Sequence, residues 1–124
     1  MEAPLTLFVY GSLRRGCPNH HLLDGAEFIG TGAIEASFYV RDEMVMAIEG
    51  PGTVYGEAYR LRDPNHLEAL DRFERHPSWY ARRPTVVTLE DGRRLDGWCY
   101  FKAKPDPEAR LTDHGQYLRM TRNC

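Results

Sequence analysis

One stretch of helical period, set among short β-type runs, limits what this chain can fold into more than any other feature. Asp63-Pro64-Asn65 opens it, with Asp63 placed to cap and Pro64 at the first helical position. Leu67, Leu70 and Phe73 follow at i, i+3 and i+6 and form one apolar stripe. The helix should end before Pro77, which cannot continue it. Elsewhere the pattern is that of strands. Leu5–Tyr10 is a short apolar run rich in β-formers and reads as a buried strand stopped by Gly11. Glu27–Arg41 reads as one long bent strand or two short ones, broken by Gly30 and Gly32. Met44–Ile48 and Val54–Leu61 read as two strands separated by the turn cluster Glu-Gly-Pro-Gly at 49–52. Arg82–Leu89 and Leu95–Phe101 form a hairpin around Asp91-Gly92. Asn19–Leu23 is expected as a short helix, Ala103–Arg110 as a surface loop, and Thr112–Cys124 as a polar tail docking through Tyr117, Leu118 and Met120. Roughly six strands and one main helix give an α+β domain, its short strands curling into a small mixed β-barrel.

A chain of 124 residues is expected to form a single domain over 1–124. Sixteen basic against eighteen acidic residues, a net charge of -2, argue against a nucleic-acid partner. No apolar run is long enough to predict a membrane span. The opening Met-Glu-Ala-Pro lacks a basic signal region, so a cytoplasmic location is expected. Cys17, Cys99 and Cys124 are odd in number and widely spaced. They are expected as reduced thiols rather than a disulfide framework or zinc site. The histidines show no zinc-type i, i+4 pair, so no metal is expected.

Three places could carry chemistry. The strand-to-loop segment Tyr10-Gly11-Ser12-Leu13-Arg14-Arg15-Gly16 could aim backbone amides at an anion. It is neither a dinucleotide fingerprint nor a P-loop, and Ser12 lacks a nucleophile elbow. An ordinary strand end with a glycine turn fits the pattern as well. Glu74 lies about 40° from the centre of the helix's apolar stripe, so a carboxylate is aimed at the core from the last turn. Burial and the helix dipole would both raise its pKa, as general acid–base chemistry requires. Pairing with an arginine such as Arg82, or solvent at the helix end, are the placements also open to it. Trp79, Tyr80, Trp98, Tyr100 and Phe101 could wall a small-ligand pocket or simply fill the core.

Phe8-Val9-Tyr10-Gly11-Ser12-Leu13-Arg14-Arg15-Gly16 with Pro18-Asn19-His20 resembles the opening of the gamma-glutamylcyclotransferase-like family, and within it the gamma-glutamylamine cyclotransferase branch. The likeness continues through Leu70-Asp71-Arg72-Phe73-Glu74, Pro77 and Tyr80-Ala81-Arg82 to Gly97-Trp98-Cys99-Tyr100. The resemblance implies a small β-barrel flanked by one main helix and short helices. It also implies cleavage of a gamma-glutamyl amide with release of 5-oxoproline and a free amine, without a cofactor. It implies that Glu74 is the catalytic acid–base residue, that Tyr10, Gly11, Ser12 and Leu13 bind the glutamyl part, and that Tyr80 lines the same cavity. Family members often carry Asp-Tyr or Asp-Trp near the C-terminus. Here the segment reads Gly115-Gln116-Tyr117, which leaves Tyr117 to close the pocket without an acidic partner. The segment from Thr31 to Gly52 would shape the leaving-group side. A non-catalytic small-ligand module on the same fold is the alternative, and Glu74 is the residue that favours the enzyme.

Overall fold

The computed structural model describes residues 5–120. Strand β1 (Thr6–Val9) is followed by a 3-10 turn (His20–Leu23) and by two long strands, β2 (Glu27–Arg41) and β3 (Met44–Arg60). Helix α1 (Pro64–Phe73), the hairpin β4 (Ala81–Leu89) and β5 (Arg94–Phe101), a two-residue β6 (Arg110–Leu111) and helix α2 (His114–Met120) complete the order. The sheet runs β3-β1-β5-β4-β2-β6, and β3 also pairs with β2. That last pairing closes five strands into a barrel, while β6 adds outside it on β2. The α+β reading and the mixed barrel hold: β1 lies antiparallel to β3 and parallel to β5.

β1 reads as a continuous apolar run because both its faces are covered. Phe8 and Tyr10 point into the barrel with Ile34, Val54, Val87 and Cys99. Leu7 and Val9 point outward into a second layer, where Leu67 and Leu70 of α1, Leu61 and Tyr100 cover them. Gly56 permits the closest backbone approach in the barrel. A Cβ there would run into the Val9 carbonyl and the Phe8 ring.

Helix α1 begins as its sequence requires, with the Asp63 side chain accepting from the His66 amide at 2.9 Å. Two predicted elements differ. Glu49–Gly52 does not end a strand. Glu35 pairs with Thr53 and Ser37 with Ile48, so the cluster bulges out opposite Ala36 while β3 runs on. The Ser37 hydroxyl, donating to the Pro51 carbonyl at 2.6 Å, fastens the bulge. The tail is not merely polar: Asp113 caps α2 by accepting from the Gln116 amide at 2.8 Å.

The expectation of reduced thiols holds for Cys99, buried and free. It fails for Cys17, which is disulfide-bonded; the wide spacing gave no local sign of this. Cys124 lies outside the described residues. Among the described residues no helix is long and apolar enough to cross a membrane.

Candidate active site

Helix α1 stops in a way that fixes Glu74. Glu74 is the C-cap, and its amide still donates to Leu70 at 2.9 Å. Arg75 then takes a left-handed conformation, φ 56°. The Arg75 amide donates to the Arg72 carbonyl at 3.2 Å and the His76 amide to the Asp71 carbonyl at 2.8 Å. This pair of bonds is the Schellman ending, built on an arginine where glycine is usual. The Glu74 carbonyl accepts in turn from the Tyr80 amide at 3.2 Å, which folds the Trp79–Tyr80 segment back over the helix end.

The Glu74 side chain opens onto a cavity of about 440 Å³, a size suited to a small ligand. One wall is the end of β1 with Gly11, Ser12 and Leu13. A second is the tip of the β2–β3 hairpin, Glu43–Val45. The third is the end of α1 with Trp79, Tyr80 and Tyr100. Tyr80 ties the second wall to the third, donating its hydroxyl to the Val45 carbonyl at 2.9 Å.

Asp71 and Glu74 lie three residues apart and sit in opposite environments. Burial would raise Asp71, but Arg82 outweighs it with a fork at 2.8 and 3.0 Å, joined by the Tyr100 hydroxyl at 2.8 Å. Its carboxyl is therefore held below the ordinary value. The Glu74 carboxyl has no hydrogen-bond or ion-pair partner among the described residues. Burial alone pushes it up to about 7. Arg82, the partner open to Glu74 on sequence grounds, is taken by Asp71 and stacks on Trp98 at 4.3 Å. Environments that drive two carboxylates apart mark which one can exchange protons near neutrality.

Across the cavity, Gly11, Ser12 and Leu13 form the turn after β1. Their amides donate to no acceptor among the described residues, so they are available to an anion. Tyr10 also lines the cavity. Its hydroxyl is buried in the barrel, donating to the Tyr100 carbonyl at 2.8 Å and accepting from the Ala47 amide at 3.1 Å. The ring therefore anchors the strand end from which the loop springs.

The structure thus brings Glu74, Tyr10, Gly11, Ser12, Leu13 and Tyr80 to one cavity. It does not bring Tyr117 there. Tyr117 packs on Phe38 at 5.2 Å between ring centroids and lines a separate depression with Arg41 and Arg110. Helix α2 lies instead against β2 and β3, its His114 ring accepting from the Tyr55 amide at 2.8 Å and packing on Phe38 at 4.1 Å. Of the expected aromatic wall, Trp79, Tyr80 and Tyr100 line the cavity. Phe101 fills the barrel instead. Phe73, expected in the core, is 44% exposed and stands at the cavity mouth. The Asp71–Arg82 pair was not foreseen: its members are 11 residues apart, on a helix and a strand.

Residues 7–119 match the family described as Gamma-glutamyl cyclotransferase, AIG2-like. The chain is 31% identical over 115 residues to the gamma-glutamylcyclotransferase family protein YtfP of Escherichia coli, covering 92% of this chain and 96% of that protein. It is 34% identical over 119 residues to gamma-glutamylaminecyclotransferase C of Danio rerio, covering 82% of this chain and 78% of that one. Among solved structures, an AIG2-like protein of Mus musculus superposes with a TM-score of 0.76 at 30% identity, covering 86% of this chain and 82% of that chain.

Proposed function

Since the chain belongs to the gamma-glutamyl cyclotransferase, AIG2-like family, we propose that it is a gamma-glutamylcyclotransferase whose acid–base residue is Glu74. The substrate is a gamma-glutamyl amide. The Glu74 carboxylate takes a proton from the substrate's α-ammonium. The freed amine nitrogen attacks the δ-carbonyl carbon of the same molecule, forming the five-membered ring and a tetrahedral oxyanion. Glu74 passes that proton to the leaving nitrogen and takes the second proton from the ring nitrogen, and the intermediate collapses as the bond to the leaving nitrogen breaks. The second proton then goes to the released amine, which departs as its ammonium, and Glu74 is again a carboxylate. The products are 5-oxoproline and a free amine or amino acid, with atoms and charges balanced.

Each part of this chemistry has a physical source. The nucleophile is tethered to its target, so little freedom remains to be lost on the way to the transition state. A base near the working pH is both sufficiently ionised and sufficiently basic. Amides at 11–13 can hold the glutamyl carboxylate or the oxyanion, and the Tyr80 ring flanks the cleft. The substrate is a small zwitterion, and no metal or organic cofactor is needed for any step. Gamma-glutamylamines are the finer substrate class we propose, supported by the likeness to the Danio rerio gamma-glutamylaminecyclotransferase.

The observation that carries this reading is Glu74: a largely buried carboxylate with no ion-pair partner among the described residues, fixed at a helix end and lining the same cavity as the loop 11–13 with its free amides. The test is incubation with gamma-glutamyl amines and gamma-glutamyl amino acids while 5-oxoproline is measured. Release from at least one member is expected, and no release from any would overturn the proposal.

A further inference from the structure

Ser12 lines the cavity, and its hydroxyl has one donor and two acceptor positions. One acceptor position is filled. The Asn19 side-chain amide donates to Ser12 Oγ at 2.8 Å. The Asn19 backbone reinforces this by donating to the Ser12 carbonyl at 3.0 Å. The Ser12 hydroxyl itself donates to nothing among the described residues. The next residue on each side is held too, with the Leu13 carbonyl bonded to the His20 ring at 2.9 Å and the Gly11 carbonyl accepting from the Arg14 amide at 3.1 Å.

A hydroxyl that already accepts from an amide cannot spend its proton on that amide. We infer that Asn19 is a positioning residue that turns Ser12 into a hydrogen-bond donor aimed into the cavity, where it joins the free amides of residues 11–13 around the carboxylate of the glutamyl part. This deepens the function proposed above and rests on it for the identity of the ligand. Accepting one hydrogen bond also polarises the hydroxyl, which makes it a better donor to an anion. Asn19 touches no substrate in this arrangement and acts only through Ser12.

The experiment measures binding of 5-oxoproline, the product that retains the carboxylate, by titration of the wild-type protein, Ser12→Ala, Asn19→Ala, the double variant and Asn19→Asp. Thermal midpoints are recorded in parallel. A donor to a charged oxygen predicts a roughly tenfold to hundredfold loss of affinity in Ser12→Ala. Asn19→Ala should lose a substantial part of that in the wild-type background and nothing in the Ser12→Ala background. A merely structural Asn19 would cost the same in both backgrounds, and that result overturns the inference. Asn19→Asp presents only acceptors to Ser12 and reverses the bond, so it should lose at least as much as Ser12→Ala. Wild-type affinity in Asn19→Asp would mean that the hydroxyl donates to residue 19, which also overturns it. Because the readout is binding, it stands apart from turnover. A protein that binds 5-oxoproline in this pattern but releases none from any gamma-glutamyl amide would retain the inference and lose the enzyme. A wild-type protein that does not bind 5-oxoproline would lose the inference, whatever its turnover.

Discussion

At the scale of single residues, the molecule separates two carboxylates by what surrounds them. Asp71 has an arginine fork and a tyrosine hydroxyl; Glu74 has only burial. Glu74 in the folded state titrates at about 7 against an ordinary 4.5. The protonated form is thus the one the fold prefers. Its contribution is fully present below pH 4.5 and is lost as pH rises through 7. Glu74→Gln keeps the shape and removes the titration. It should match the wild-type protein in denaturant stability near pH 4 and exceed it by about 2 kcal/mol at pH 8. Asp71→Asn does the opposite kind of damage. It strands Arg82, whose side chain is 18% exposed, and should lower stability by about 2 kcal/mol at pH 7, as read from a urea midpoint.

At the scale of elements, the ending of α1 is what aims Glu74. The Schellman bonds require a left-handed residue, and Arg75 supplies it at a cost of about 1 kcal/mol that glycine would not incur. Arg75→Gly should therefore be about 1 kcal/mol more stable than Arg75→Ala, both having lost the guanidinium, when the two are unfolded side by side in urea. Much of this element was legible in the sequence. Asp63-Pro64 set its start, Leu67 and Leu70 its buried face, and the angular position of Glu74 its inward aim. Phe73 was not, because a stripe read from period alone cannot tell a core from an open cavity beside it. Nor could local pattern show that Arg82 would go to Asp71, since that choice depends on how β4 packs against α1. The bulge at Glu49–Gly52 carries ordinary turn residues, and only pairing with β2 keeps β3 extended through it. Helix α2 had a readable cap in Asp113, but its few apolar residues gave no clear period. The role expected of Tyr117 depended on where that helix would dock.

At the scale of the whole molecule, barrel closure brings the three walls of the cavity together. β1 ends at the loop 11–13, the β2–β3 hairpin tip forms the second wall, and α1 covers the outer face of β1 so that Glu74, its C-cap, lines the same cavity. Closure depends on Gly56, where any side chain would meet the Val9 carbonyl. Gly56→Val should cost about 3 kcal/mol or more, seen as a fall in thermal midpoint together with loss of 5-oxoproline binding, since Val9 and the loop it leads into would be displaced. The near-balanced charge of the chain, -2 overall, fits a site for a small zwitterion better than a surface for a polyanion. The central claim is that one largely buried carboxylate, Glu74, carries a proton from nucleophile to leaving group. Its most direct test is kcat/KM against pH for the wild-type protein and Glu74→Gln on the same gamma-glutamyl amide. The account predicts an acidic limb rising through a midpoint of about 7 in the wild-type protein, and a loss of at least about a hundredfold in Glu74→Gln. A limb centred near the ordinary glutamate value, or a Glu74→Gln protein that keeps wild-type turnover, would contradict it.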